Sequence, residues 1–512
     1  MLRKLLAPSL PDILFAVLLL SLVVRPQALE QLLRDGDTGW HIRTGEMVLQ
    51  THHVPHADPF SFTRPNQPWM AWEWGAGVLF AEAFRLRGLA GVACLAAVVL
   101  SLAAAAMFAF LLRRGHGLWI GLVATLAAVS ASSIHFLARP HVFSILFYTV
   151  STGILGLDRR RRGPLLWTLV PMTAVWANLH AGFVAWPATL LLLLVHCGTR
   201  GETDALRRYG TLAALCSAAT LATPYGWRLH QHILGYLHSS WIMDHVQEFQ
   251  SPQIRSEGAV VFALLLIATL VQALRGDRFE AILAMAWGFL ALRSARHVPF
   301  FAVSAAPVLA AGLSELWNAR VARAGRGSAV EVFQQLGREL GTRMRVSAWL
   351  PASAAIVLAA APAAGFSNAT FPVAAVQANL ELLAVRAPIP RILTSDQWAD
   401  YLIFRLYPSQ RVFFDGRSDF FGAELGAEYR SLSGAEGNWR ELLERYGFGA
   451  ALLPREWALA SVLEREPGWS EVYRDALAVL FVRDTPIVGQ DSPCGRLGAV
   501  RIECRKAMEA VP

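Results

Sequence analysis

Acidic and imidazole side chains crowd a short stretch near the start of this 512-residue chain. Asp35, Asp37, His41 and Arg43 come first, and Glu73 follows inside Pro68-Trp69-Met70-Ala71-Trp72-Glu73-Trp74. A carboxylate held at such a place can take the proton of a hydroxyl group as its oxygen attacks a carbon centre. Asp37 and His41 are four residues apart, on one side of a helix. The same spacing also suits a plain structural role, in which Asp37 caps the start of an amphipathic interfacial helix by accepting from exposed backbone N–H groups. Tryptophans at a membrane edge are ordinary. A carboxylate among them is not, because burial beside aromatic rings disfavours its charged form unless a cation pairs with it.

A second set of residues suits anions. Arg139 stands beside His141 in Arg139-Pro140-His141, Arg296 is followed by His297, and His180 ends Trp176-Ala177-Asn178-Leu179-His180. The guanidinium fork matches phosphate oxygens, and an ionisable residue at membrane depth points to function. Interfacial snorkelling is the structural alternative for the arginines, and a simple helix end is the alternative for His180. The segment from Tyr225 to Gly258 holds His230, His232, His238, Asp244, His245 and Glu248. Imidazole and carboxylate suit divalent ions, but these spacings are irregular, so an amphipathic surface helix is expected. Asp415, Arg417 and Asp419 follow a strand end, where either a site or a structural turn around Gly416 accounts for them.

The elements that must carry these residues are set by composition. Hydrophobic residues make up 54% of the chain and charged ones only 16%, against roughly a quarter in soluble domains. The apolar residues fall in blocks long enough for a bilayer core of about 30 Å. The expected fold is a polytopic α-helical membrane protein with about eleven spans, near 11–25, 90–112, 117–137, 141–157, 164–180, 182–197, 208–223, 257–274, 278–293, 298–316 and 346–363. Pro171 and Pro187 are expected to kink spans five and six or make them re-entrant. The formal charge of +8 comes from short basic loops between apolar blocks, such as Arg113-Arg114 and Arg159 to Arg162. That is the positive-inside pattern rather than a nucleic-acid signature. It puts the N-terminus in the cytoplasm, and it puts residues 26–75, most histidines and the C-terminal region on the outer face.

After the last span the pattern changes to short alternating runs. Strands are expected at 391–394, 411–414 and 450–453 and as a pair around 472–482, with helices at 397–406 and 439–446; this is a small α/β domain. The domain reading is 1–364 for the membrane part, including the outer loop 26–75, and 365–512 for the outer domain. Cys94, Cys197 and Cys216 lie in apolar surroundings, where a thiol acts as a small hydrophobe. Cys494 and Cys504 could pair in an oxidising compartment or remain free thiols.

Asp37, the helix after it, the turn with Pro55 and Glu73 before an apolar segment resemble the first periplasmic loop of GT-C glycosyltransferases, a superfamily that includes protein mannosyltransferases and lipid A aminoarabinose transferases. In that loop an Asp-Glu pair begins the helix and a Glu in a Phe-Glu-Lys-Pro-Pro-like stretch ends it. Here Thr38 stands at the second acid and Trp74-Gly75 replaces Lys-Pro-Pro. The Asp-x-Asp-x-x-Trp-His opening, Tyr401 to Leu406 and Val412 to Arg417 further resemble bacterial membrane proteins of this superfamily. The resemblance implies a multi-pass enzyme of the bacterial inner membrane that moves a sugar from a polyprenyl-phosphate donor to an extracytoplasmic lipid, glycan or protein, with inversion. It implies Asp37 as base, with Asp35, His41, Arg43, Glu73, Arg139, His141, His180, Arg296 and His297 at substrate. No cofactor is required by this reading, and a divalent cation stays open. A transporter or flippase of a lipid-linked or small solute is one rival, and a non-catalytic envelope assembly protein is the other.

Overall fold

The structure is a computed structural model that describes residues 8–253, 255, 257–273, 278–341, 349–385 and 389–484. It is mostly helical and divides into two compact units. One comprises Met1–Ala28 and Cys94–Pro362, the other Leu29–Ala93 and Ala363–Pro512. The outer loop, counted with the membrane part from its place in the sequence, thus packs with the C-terminal region. Cys494 and Cys504 lie outside the described residues.

In the first unit every expected span coincides with a helix. Five helices are long and apolar enough to cross a membrane: Trp74–Arg113, Leu118–His135, His141–Arg160, Ala181–Thr199 and Ala295–Ala322. Four more are apolar but shorter, Leu10–Val23, Pro164–Leu179, Val260–Gln272 and Trp349–Ala360. Thr203–Ala219 and Arg278–Arg293 are helices that carry more charge. The two prolines expected to kink their spans do not. Pro171 lies in the first turn of Leu169–Leu179 and Pro187 in the first turn of Ala185–Thr199, where no intrahelical N–H bond is lost. Each helix is instead entered through a short 3-10 turn, Pro164–Thr168 and Ala181–Val184. A proline in a helix interior occurs at Pro307 within Val298–Ala322.

Polar groups inside this unit are satisfied by neighbouring helices, as an apolar environment requires. The fully buried Tyr148 hydroxyl meets Ser304 at 3.0 Å and Thr189 at 3.3 Å, linking three helices. Ser9 and Asp12 form a capping box at the start of Leu10–Val23. Cys94, Cys197 and Cys216 are buried free thiols.

The second unit is built on a four-stranded sheet in the order β1-β2-β4-β3, with β1 at Arg391–Leu393, β2 at Phe448–Pro454, β3 at Trp469–Arg474 and β4 at Ala478–Arg483. β1 and β2 are parallel and the other pairs antiparallel. Helices Asp396–Leu406, Ser418–Gly434 and Trp439–Tyr446 pack around it. The segment expected as a strand at 411–414 is reduced to bridges through one residue: Val412 pairs with Ile392 on one side and Ser61 on the other. Phe62 donates its N–H to the Val412 carbonyl and Val412 donates to Phe60, both at 3.0 Å. The outer loop is therefore stitched to the sheet edge through residues 60–62.

One buried ion cluster fixes that join. Arg417 lies against Asp415, with Nη2 to Oδ2 at 2.6 Å and Nε to Oδ1 at 2.8 Å, and against Asp58 of the outer loop at 2.8 Å. Its guanidinium is boxed by Phe60, Trp69, Phe420 and Phe421, with ring centroids 4.7–5.7 Å away. Asp58 also accepts from the Ser61 N–H and hydroxyl, so its lone pairs are used. Of the two readings of the Asp415–Asp419 segment, this arrangement is the structural turn for Asp415 and Arg417. Breaking a buried charge cluster by removing its cation costs about 3–5 kcal/mol, because the acids are left uncompensated. Arg417→Gln should lower the thermal unfolding midpoint of the detergent-solubilised protein sharply, whereas a substitution at exposed Arg440 should leave it nearly unchanged.

Candidate active site

Asp37 begins the helix Asp37–Thr51 but does not cap it. Gly36 holds the cap position without a side-chain bond, and the Asp37 N–H is taken by Asp35 Oδ1 at 3.0 Å. The capping role expected of Asp37 thus passes to its neighbour, and the Asp37 carboxylate turns elsewhere. Gly39 sits against the backbone of the Asp396–Leu406 helix, where an added Cβ would lie 2.6 Å from the Asp400 carbonyl oxygen. This close approach brings Asp37 next to Asp400. A Cβ at Gly416 would collide with Asp37 Oδ1 and lie 2.7 Å from Asp400 Oδ2. Two carboxylates therefore converge over one glycine, a geometry that no larger residue at 416 permits.

Asp400 is buried, and its Oδ1 accepts from the Gly416 N–H at 3.2 Å. Its Oδ2 makes no hydrogen bond among the described residues, which in a buried acid calls for an explanation. Burial, and then the charges of Asp37, Asp415 and Asp396, push the Asp400 carboxyl well above the ordinary carboxylate range. Asp415 is raised as well by its burial, although Arg417 opposes the rise. Asp400 was missed in the sequence reading; its signal was an acid on a helix whose neighbours Trp398, Ala399, Tyr401, Leu402 and Ile403 are all buried.

The structure brings His41 and Glu73 together, Nε2 to Oε2 at 3.4 Å. The Trp40 ring lies against His41 at 3.6 Å between centroids. Arg43 donates through Nε to the Phe404 carbonyl at 2.9 Å and through Nη1 to Glu46 at 2.7 Å, latching the Asp37 helix to the end of the Asp396 helix. Asp35, Asp37, His41, Arg43 and Glu73 are thus gathered in the second unit with Asp400.

Arg139, His141, His180, Arg296 and His297 are in the first unit, and the two arginines there meet Glu248, from the segment expected as an amphipathic surface helix. Glu248 is bridged by Arg139 on one oxygen and by Arg296 at 3.1 Å on the other. Its burial opposes ionisation, yet the two guanidiniums hold it well below the usual carboxylate range. Arg296 also donates to the Tyr236 hydroxyl at 3.2 Å and lies 4.5 Å from the Phe249 ring centroid. His141 Nε2 donates to the His135 carbonyl at 2.6 Å, and His135 Nε2 donates to the Ala295 carbonyl at 2.8 Å. His180 Nδ1 accepts from the Gly182 N–H at 2.9 Å and meets Ser144 at 2.7 Å, so His180 joins two helical segments. His297 lies beside the Trp287 ring, 5.9 Å between centroids. The helical part of the loop, Arg228–His238, is amphipathic as expected. Among the described residues no group of three or more His, Cys, Asp or Glu side chains is placed to hold a metal ion.

No family model and no curated protein matches the chain by sequence. Its architecture is matched among solved structures. An archaeal oligosaccharyltransferase, AglB from Archaeoglobus fulgidus in complex with an inhibitory peptide and a dolichol-phosphate, superposes with a TM-score of 0.58 at 12% identity, over 93% of this chain and 74% of that one. The chain shares the fold of that oligosaccharyltransferase. ArnT from Cupriavidus metallidurans bound to undecaprenyl phosphate gives 0.48 at 14% identity, over 94% of this chain and 99% of that one. Its apo state gives 0.49 at 12%, over 91% and 97%. Identity as low as that to the oligosaccharyltransferase carries the fold and no residue role.

The raised Asp400 carboxyl has a measurable consequence. The folded protein binds its proton more tightly than the unfolded chain does, so Asp400 favours folding below the ordinary carboxylate pKa of about 4. That contribution is lost as pH rises from there through the raised value. Thermal unfolding followed across this window should show stability declining with pH in the parent, and Asp400→Asn should flatten the decline.

Proposed function

We propose that the chain is a membrane glycosyltransferase that moves a sugar from a polyprenyl-phosphate donor to an extracytoplasmic acceptor hydroxyl or amide. The observation that carries this reading is the convergence of Asp37 and Asp400 over Gly416 in a chain with the fold of an oligosaccharyltransferase. Two adjacent buried carboxyls cannot both ionise cheaply, so one holds a proton and the other keeps its charge. With Asp400 as the protonated member, Asp37 is the acceptor of the next proton. The dolichol-phosphate in the AglB structure supports a lipid-phosphate donor.

In the proposed step Asp37 takes the acceptor's proton as the acceptor atom bonds to the anomeric carbon. The bond from that carbon to the phosphate oxygen breaks with inversion, and the electron pair leaves on the lipid phosphate. Asp35, His41, Arg43 and Glu73 are assigned to shaping the pocket around Asp37. In the membrane unit, Arg139 and Arg296 are assigned to the donor phosphate, with His141, His180 and His297 beside them. Glu248 then acts as the counter-ion that keeps the two arginines together. Their mutual repulsion would otherwise splay them, and the lipid phosphate, a monoanionic diester in the donor, gains a second charge as the bond to the sugar breaks and so competes better for both forks.

Asp37→Asn should reduce sugar transfer in membranes by about 10²–10⁴-fold, the usual share of a general base, with the unfolding midpoint little changed. Undiminished turnover would remove Asp37 from the chemistry. Arg296→Gln should raise the KM for the lipid-linked donor while leaving the KM for the acceptor unaltered. An unmoved donor KM would withdraw the phosphate from this residue.

A further inference from the structure

The arginine-rich ends of the membrane helices, which the basic-loop pattern assigns to the cytoplasm, enclose a cavity that the proposed reaction does not use. It has a volume of about 270 Å³ and is lined by Arg114, His116, Arg159, Arg160, Glu280 and Glu315. It shares Arg114, Gly156, Arg159 and Glu280 with an apolar crevice that runs between helices along Met107, Phe110, Leu111, Phe279, Leu283 and Val303. The slot has a volume of about 50 Å³, so a polar chamber continuous with it has room for a lipid headgroup and the first carbons of its tail.

The donors and acceptors of the chamber are specific. The Arg114 side chain is 9% exposed and pairs with Glu280, yet its Nε–H has no hydrogen-bond partner among the described residues. Gly156 leaves the space beside that guanidinium open, since a Cβ there would come within 3.2 Å of Nη1. The Ser314 hydroxyl donates to the Ala310 carbonyl at 2.7 Å, so at 3.0 Å it accepts from His116 Nδ1. The other nitrogen, Nε2, is then an acceptor; it is buried and has no partner among the described residues. Glu315 is exposed at the same chamber. The chamber thus offers guanidinium donors for a phosphate together with an imidazole nitrogen and a carboxylate for a hydrogen-bond donor.

We propose that this cavity binds a membrane phospholipid whose headgroup joins a phosphate diester to an ammonium group, phosphatidylethanolamine being the match. The phosphate rests on Arg114, Arg159 and Arg160, the ammonium faces His116 Nε2 and Glu315, and the first carbons of the lipid tail enter the apolar crevice. The inference stands apart from the transferase reading and is read without an activity assay.

The test reconstitutes the full chain in nanodiscs of mixed phosphatidylethanolamine, phosphatidylglycerol and phosphatidylcholine and measures co-retained lipid by native mass spectrometry. Phosphatidylethanolamine should be retained over phosphatidylcholine, which has the phosphate but no N–H. Arg159→Gln with Arg160→Gln should cut that retention by about tenfold or more. Glu315→Gln, a change at an exposed position, should lower the preference for phosphatidylethanolamine by about fivefold, the size of one surface ion pair. Equal retention of all three lipids, retention indifferent to both variants, or a preference for phosphatidylglycerol would overturn the proposal. Displacement of the lipid by inorganic phosphate would make the cavity a soluble-anion site and would overturn it equally.

Discussion

A single guanidinium buried between two carboxylates holds the second unit together. Arg417 meets Asp415 two residues away and Asp58 more than 350 positions earlier in the chain, inside a box of four aromatic rings. Taking three charges out of water is expensive, and it is tolerated only when each lone pair and each N–H is used. The result is specificity of assembly. The loop 26–75 buries apolar residues of its own, among them Leu33, Trp40, Ile42 and Phe60, and the ion cluster and the Val412 bridges fix the register of its middle part. The Asp37 helix is held on the Asp396 helix directly, by the close approach at Gly39 and by Arg43 on the Phe404 carbonyl.

The same electrostatics separates Asp400 from the nearby cluster: burial and neighbouring acids raise the Asp400 carboxyl with no cation to oppose them, whereas Arg417 opposes the rise at Asp415. Asp415 and Asp58 share a cation. Asp400 has none, receives one backbone N–H and faces Asp37, so its proton is the cheapest way to limit the charge. This division of roles between neighbouring acids is what a proton-transfer site needs. It follows from where Arg417 points rather than from any feature of Asp37 alone.

In the first unit two arginines are organised by an acid in turn. Glu248 holds Arg139 and Arg296 through opposite oxygens, and aromatic faces from Tyr236 and Phe249 carry part of the Arg296 charge. Snorkelling side chains would reach separately for water. A pair preassembled on a counter-ion is ordered before any ligand arrives, which lowers the entropy lost on binding an anion.

What the sequence determined by itself was the class of protein and the position of its helices. Apolar blocks of membrane length, basic loops and the switch to short alternating runs are local signals, and each expected span is a helix in the structure. The Trp439–Tyr446 helix was legible for the same reason. The tertiary structure decided the rest. Asp37 looked like a cap because capping is judged within one turn, whereas its true neighbour comes from a helix more than 350 residues away. Pro171 and Pro187 looked like kinks because hydropathy cannot tell a helix's first turn from its middle. Asp400, Asp58 and Glu248 carried no motif, since a buried acid is recognised by what surrounds it. Local pattern fixes which segments leave water, but the partners of a buried charge are chosen by the long-range packing that excludes water from it.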